Sequence, residues 1–238
     1  MDAPHGRVLK TGRVGGWLVL VLVSGAGGAS AGAVPATGQA GERVIDQVVA
    51  VIGDQVLTRS ELEFETRVAL VQRGGVRAAE SSLDEQTLRG ALELAVNQRL
   101  LVAGADRLQA FAAERSEVDA RVRSFRERFE DEPALLAFLA RHEADLDQLT
   151  AVLERGVRAE RILDSRIRLR AQVSEAEVRR EWEAHKAALG GPFEAVREAL
   201  KERLVRERYG QLAKEEFAQV RASARVRRVA AFAREALP

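Results

Sequence analysis

The chain has 238 residues, of which 31% are charged and 5% aromatic, and this composition is typical of a soluble, helical protein with a hydrophobic core. Its formal net charge at pH 7 is only +1, which argues against nucleic-acid binding because phosphate contacts need a surplus of positive charge on one face. It contains no cysteine, so disulfides and thiolate metal sites are excluded within it.

Residues 1–31 have the three-part layout of a secretory signal peptide. Arg7, Lys10 and Arg13 form a basic start, the apolar run VGGWLVLVLVSGAGG follows, and Ala29-Ser30-Ala31 has the small-residue form that a signal peptidase accepts. The apolar run is short and rich in glycine, which makes it a poor membrane span, although an uncleaved anchor is the alternative. Cleavage after Ala31 removes three basic residues and one acidic residue, which changes the net charge from +1 to −1.

A linker rich in Gly, Ala, Pro and Thr at residues 32–42 leads into the stretch RVIDQVVAVIGDQVLTRSELEFE, residues 43–65. The dense β-branched run from Val44 to Ile52 predicts a strand that other elements largely cover. Gly53-Asp54 fits a two-residue hairpin turn, with Gln55–Leu57 as the short return strand. One small hairpin is therefore expected in a chain that otherwise has helical patterns.

Six helices are predicted before residue 190, and four of them begin with a sequence of the form S/T-x-x-D/E. In this capping box, hydroxyl and carboxylate accept hydrogen bonds from each other's backbone N–H groups. Pro133 fits the first turn of a further helix, where its missing N–H costs nothing. The boxes are Thr58-Arg59-Ser60-Glu61, Ser82-Leu83-Asp84-Glu85, Ser116-Glu117-Val118-Asp119 and Ser174-Glu175-Ala176-Glu177. The predicted helices are Arg59 to about Gln72, Ser82 to about Leu108, Ser116 to about Glu130, Ala134–Arg141, Asp145 to about Arg170 and Ser174 to about Ala188.

The C-terminal part begins after Gly190-Gly191-Pro192, which breaks the helical pattern. An apolar stripe from Phe193 to Val220 predicts one long helix, and residues 224–230 alternate like an edge strand. A lone hairpin is marginal in water, so we expect this strand to pair with the N-terminal hairpin and close the chain on itself.

The predicted fold class is therefore mainly α, with a small antiparallel sheet that joins the N-terminal hairpin and the C-terminal strand. Residues 43–238 are expected to form a single domain. Its N-terminal part is residues 43–188, and its C-terminal helix and strand are residues 193–238.

Few residues suggest catalysis. His142 and His185 lack metal-ligand spacing, and no nucleophile elbow, phosphate-binding glycine loop or dinucleotide fingerprint occurs. His142 is expected to be a solvated residue at a helix end, and His185 to form an ordinary i,i+4 pair with Glu181. We therefore predict no catalytic, cofactor-binding or metal-binding residue.

Aromatic and basic clusters are the remaining candidates for binding. Trp182 is expected to pack in the core rather than contact a ligand. Phe125, Phe129 and Phe138 are also expected in the core, with an apolar groove as the alternative. The C-terminal segment ARVRRVAAFAR predicts a basic strand edge, and positive residues at an edge also discourage aggregation.

Several segments resemble SurA-type periplasmic chaperones. VIDQVVAVIGDQVLTRSELE is similar to the opening signature of that family, in which a strand, a turn and a helix start follow the signal peptide. ALELAVNQRLLVAGADRL resembles its next element, and SEVDARVRSFRERF and VSEAEVRREWEAHK resemble its later helix starts. FEAVREALKERLVRERYGQLAKEEFAQVRASARVRRV resembles the C-terminal helix and strand, which in those proteins return to the N-terminal domain. The resemblance covers nearly all of the chain after the signal peptide.

The resemblance implies a helical SurA-like chaperone core: a periplasmic holdase that binds unfolded outer-membrane or exported proteins without a cofactor. In that family, one or two parvulin-type prolyl isomerase domains precede the final helix, whereas residues 187–192 alone occupy that position here. No isomerase residue can be carried over, and the residues that bind the client are unknown. The alternative is a helical interaction module that binds one dedicated cell-envelope partner. Neither reading includes nucleic acid or, after signal cleavage, an integral membrane span.

Overall fold

The computed structural model describes residues 46–234. The predicted signal peptide, the linker and the start of the first strand at Val44 lie outside the described residues. Within them the elements confirm a mainly α fold with one small sheet. In chain order the elements are β1 (Val48–Ile52), β2 (Gln55–Thr58), α1 (Arg59–Gln72), α2 (Val76–Glu80), α3 (Glu85–Arg107), α4 (Arg115–Arg126), α5 (Glu132–Arg141), α6 (Leu146–Ile167), α7 (Glu175–Leu189), α8 (Phe193–Ala222), β3 (Val226–Arg228) and α9 (Ala231–Arg234).

The sheet has the order β2-β1-β3, and both pairings are antiparallel. Gly53 turns the hairpin with φ of 63°, a conformation that glycine adopts without steric cost. The Gly53 N–H also donates to the Arg225 carbonyl at 2.9 Å, which ties the turn to the returning chain. In β3, Val226 lies opposite Ile52 and Arg228 opposite Ala50. The prediction that the C-terminal strand pairs with the N-terminal hairpin is confirmed.

Two of the four predicted capping boxes form as expected. At α1 the Thr58 hydroxyl accepts from the Glu61 N–H, and Glu61 accepts from the Thr58 N–H at 2.9 Å. At α7 the same reciprocal bonds join Ser174 and Glu177. Each box satisfies two backbone donors that the first helical turn leaves without an intrahelical partner.

The other two boxes were wrong. α3 begins at Glu85, because the Asp84 carboxylate accepts from the Thr87 N–H at 2.7 Å and Ser82 stays outside the helix. An ionised carboxylate is a stronger acceptor than a hydroxyl. α4 begins at Arg115, so Ser116 lies inside the first turn and cannot cap it.

Several predicted boundaries also shift, although every predicted helix is present. α5 starts two residues early, at Glu132, since the Asp131 carboxylate accepts from the Ala134 N–H at 2.8 Å. α4 ends at Arg126, where the Phe129 N–H turns back to the Arg126 carbonyl. α6 ends at Ile167 rather than near Arg170. The short helices α2 and α9 were not predicted.

The buried apolar side chains form four clusters. The first joins the sheet to α3 and α9, and the second fills the space among α1, α2, α4, α5 and α6. The third lies among α3, α6 and the second half of α8. The fourth contains Val178 of α7, Phe193 and Leu200 of the first half of α8, and Val173, which precedes the N-cap residue of α7. α8, 30 residues long, extends about 45 Å and so connects the fourth cluster to the third.

Candidate client-binding groove

α7 and residues 193–211 of α8 form a helical hairpin, called here the helical arm. α7 packs mainly against α8, and the arm has its own apolar core in the fourth cluster. The chain reverses at Gly190, whose φ of 52° ends α7 in the left-handed conformation. The arm is thus a distinct structural unit. The second half of α8 links it to the helices α1–α6, called here the helical body.

Trp182 closes the turn of the arm. Its ring lies edge-on to the Phe193 ring with 5.7 Å between centroids. Its indole N–H donates to the Gly191 carbonyl at 3.3 Å, and the Lys186 ammonium lies 4.7 Å from the ring centroid. The indole therefore holds the two helices together at the turn, which agrees with the prediction of core packing.

One side of the arm carries an open groove of about 460 Å³, called here the arm groove. Each helix contributes four residues at the spacing i, i+3, i+4, i+7, which places them on a single helical face. Three of the lining residues are apolar, and the other six carry carboxylate, guanidinium or amide groups. The lining residues are Val173, Glu177, Arg180, Glu181 and Ala184 on one side, and Leu204, Glu207, Arg208 and Gln211 on the other.

Ion pairs across the arm fix the charged walls. Arg208 donates to the Glu177 carboxylate and, at 2.7 Å, to the Gln172 carbonyl. The bond from Arg208, with those from Ser174, lowers the pKa of Glu177 to about 2. Arg203 bridges Glu181 at 2.9 Å. The groove therefore combines both signs of charge with apolar side chains.

A second concavity, called here the central cleft, lies among α1, α3, α4 and α6 and encloses only about 70 Å³. Glu65 at its edge accepts from Arg99 and Arg155, so a nearly buried ion network lies under it. On the α4–α6 side, Arg121 makes two bonds to the Glu160 carboxylate, at 2.7 and 3.2 Å. These contacts join four helices, and the cleft is too small to admit a peptide.

His142 differs from the sequence prediction of a solvated residue at a helix end. It is half-buried at the end of α5 rather than solvated, and its ring lies edge-on to Phe138 at 4.9 Å. Its Nε2 is buried and has no hydrogen-bond partner among residues 46–234. Burial, followed by the positive charges of Arg67 and Arg141, lowers the pKa of His142. The apolar packing of α5 against α4 explains the difference, because it draws the end of the helix into the second cluster.

The other sequence candidates have structural roles. Phe125 and Phe138 are fully buried and Phe129 is half-buried beside them, so this trio packs in the second cluster rather than lining a groove. His185 contacts the Glu181 carboxylate at 3.2 Å, as expected for an i,i+4 pair. In the described part of the chain, no group of three histidine or carboxylate side chains is arranged to hold a metal ion.

The arm groove was not predicted from the sequence. Its signal was present in α8, where polar Glu207, Arg208 and Gln211 follow Leu204 at helical spacing and interrupt the apolar stripe. The same spacing occurs in α7, at Glu177, Arg180, Glu181 and Ala184. Only the pairing of the two helices brings these faces together.

No protein-family model matches the chain, and no curated protein matches it significantly. Among residues 46–234, no helix combines the length and the apolar character needed to cross a membrane.

Proposed function

We propose that this protein is a non-catalytic periplasmic chaperone, a holdase that binds unfolded outer-membrane or other exported proteins. The observation that carries the proposal is the arm groove, which is open and is lined by apolar side chains and by both signs of charge. An unfolded chain presents apolar side chains between polar ones, so such a groove fits many segments with modest affinity. Modest affinity allows clients to leave without an energy source.

Two features of the chain support a chaperone of the SurA type. The segment from residue 43 to residue 65 has the strand, turn and helix start that resemble the opening of that family. The antiparallel pairing of β1 with β3 agrees with the return of the C-terminal strand that the resemblance implies. Both features concern architecture, whereas the arm groove concerns binding.

The turn between α7 and α8 supports the non-catalytic part of the proposal. Only Gly190, Gly191 and Pro192 separate the two helices, at the position where the SurA-type proteins that the chain resembles carry isomerase domains. We expect the refolding of a protein limited by proline isomerisation to proceed at its uncatalysed rate, over tens of seconds, with the chain present. Acceleration in proportion to added protein would contradict this part of the proposal.

The central test is suppression of aggregation. An outer-membrane β-barrel protein is diluted from urea with and without the full chain, and light scattering is followed. Ala184→Trp fills the arm groove from an exposed position on α7, so suppression should weaken. Ala187→Trp is the matched control, since Ala187 is also exposed on the same helix but does not line the groove.

Two results would count against the holdase. If the unmodified chain fails to suppress aggregation of several unrelated clients, it is not a general chaperone. If it then captures one envelope protein at a fixed stoichiometry, the alternative of a dedicated interaction module is supported. Equal suppression by both tryptophan variants would place client binding outside the arm groove.

A further inference from the structure

The outer edge of β3 has unused hydrogen-bonding groups. In an antiparallel pair, residues alternate between those that exchange backbone bonds with the partner strand and those whose N–H and C=O point away. The Gly53 N–H donates to the Arg225 carbonyl, and the Val229 N–H donates to the Val49 carbonyl. Arg227 therefore faces β1, whereas the N–H and C=O groups of Val226 and Arg228 point outward.

Those outward groups have no backbone partner within residues 46–234. The sheet order makes β3 an edge strand, and the turn and loop bonds near it involve Arg225, Val229 and Ala230 rather than Val226 or Arg228. Four backbone groups thus lie in a row at the spacing that an added strand requires.

The opposite edge of the sheet differs. On β2 the alternation points Val56 and Thr58 outward. The Thr58 N–H is occupied by the Glu61 carboxylate of the capping box, and α1 begins at the next residue. This edge offers only Val56, too little for a strand to add, so β3 is the edge that can accept one.

The segment that contains β3 carries only positively charged side chains. Residues 224–234 include Arg225, Arg227, Arg228 and Arg234 and contain no acidic residue. Arg228 is paired with Glu93 of α3 at 2.6 Å, and Arg234 donates to the Val229 carbonyl. Arg225 and Arg227 are both exposed, and neither forms an ion pair with any residue from 46 to 234.

We propose that the outer edge of β3 binds an extended acidic segment of another protein by strand addition. The backbone groups of Val226 and Arg228 supply the register, and the guanidinium groups of Arg225 and Arg227 select for carboxylates in the added strand. An anionic lipid surface satisfies the charges but cannot supply the backbone bonds, so the extended peptide is the better fit. This surface is separate from the arm groove and does not depend on the proposed chaperone function.

The test measures binding of fluorescein-labelled ten-residue peptides to the full chain by fluorescence anisotropy. The first peptide alternates Glu with Val and so can form an acidic strand. The second keeps every Glu but replaces alternate Val residues by Pro, which removes strand-forming ability without changing the charge. The third replaces Glu by Lys. We expect binding of the first peptide alone, weakening as salt is raised.

Two variants separate backbone pairing from charge. Val226→Pro deletes the outward N–H and leaves the β1–β3 bonds in place, so affinity should fall about fivefold. Val226→Ala is its control, because it shortens the side chain but keeps the N–H. The double variant Arg225→Glu, Arg227→Glu should lower affinity about tenfold. Arg115→Glu with Arg128→Glu gives the same change in net charge on exposed residues of α4 and the turn after it, and should have little effect.

The outcomes decide the proposal. Equal binding of the first and second peptides, or binding to anionic vesicles that Val226→Pro leaves unchanged, would show a purely electrostatic surface and overturn strand addition. If Val226→Pro fails to fold, the double charge variant and the peptide series still test the proposal. No binding of the acidic peptide, together with self-association of the double charge variant, would show that the arginines protect the edge instead.

Discussion

The Glu65 carboxylate of α1 accepts two bonds from the Arg99 guanidinium of α3, at 2.6 and 2.9 Å. Only 10% of the Glu65 side chain and 7% of the Arg99 side chain are exposed. Arg155 of α6 donates to the same carboxylate. One carboxylate therefore joins three helices of the body through two positive charges.

Glu65→Gln should lower the free energy of unfolding by about 3 kcal/mol, because it leaves two mostly buried guanidinium groups without their counter-charge. Urea unfolding followed by circular dichroism measures the change. Glu63→Gln is the matched control on the same helix, since it breaks only the more exposed pair with Arg59 and should cost less than about 1 kcal/mol. Similar losses for both variants would show that burial does not strengthen the Glu65 network.

His142 should make stability depend on pH near neutrality. Burial and then the charges of Arg67 and Arg141 lower its pKa in the folded state below the ordinary value of 6.5, and Glu80 and Glu63 oppose this shift. As pH falls through 6.5, the unfolded state takes up a proton before the folded state does, so stability decreases in that direction.

His142→Gln should remove this component, which would appear as a flatter curve of unfolding free energy just below pH 6.5. Ala187→Gln is the control, because it places the same side chain at an exposed position of α7 that does not titrate. A curve that keeps its slope in the His142 variant, as it does in the Ala187 variant, would contradict the assignment.

Glu177 should titrate far below an ordinary glutamate. The bond from Arg208, with those from Ser174, lowers the pKa of Glu177 to about 2. The stabilising effect of this carboxylate is therefore present above pH 4.5 and is lost as pH falls from there towards 2. Carboxyl NMR of the full chain measures the titration directly.

Arg208→Ala should return the pKa of Glu177 towards 4.5, although the bonds from Ser174 keep part of the shift. Arg206→Ala is the matched control on the exposed face of the same helix and should leave the Glu177 titration in place. A titration that does not move in Arg208→Ala would mean that the arm groove lacks this cross-helix bond in solution.

Local patterns predicted the elements more reliably than their exact starts. The dense β-branched run before Gly53 predicted β1, and the alternation after Ala224 predicted β3. The box at Ser82 failed because Asp84 offers a better acceptor two residues later. α2 was missed because part of its stabilisation comes from another helix. Arg67 of α1 donates hydrogen bonds to the Ala79 and Ser81 carbonyls.

The binding surfaces depend on contacts that no local pattern contains. The arm groove exists only because α7 and α8 align two polar faces. The ion pairs between these helices join residues far apart in sequence: Arg208 and Glu177 are separated by 31 positions, and Arg203 and Glu181 by 22. Likewise, Glu65 and Arg99 are 34 residues apart, among many equivalent charges. The charge at β3 was visible in the sequence, but which backbone groups face outward follows only from the register with β1.

Closure of the chain by its C-terminal end should be essential to stability. Phe232 of α9 is 4% exposed in the cluster that contains the sheet and α3, and the Arg59 guanidinium lies 5.9 Å from its ring centroid. Phe232→Ala removes this packing and should lower the free energy of unfolding by about 3–4 kcal/mol. Phe111→Ala is the control, because it makes the same change at a partly exposed position (36%), and it should lower the free energy of unfolding far less. Thermal unfolding of both variants measures the difference. If Phe232→Ala unfolds no earlier than Phe111→Ala, the returning segment is a detachable end, and the sheet must be stable without it.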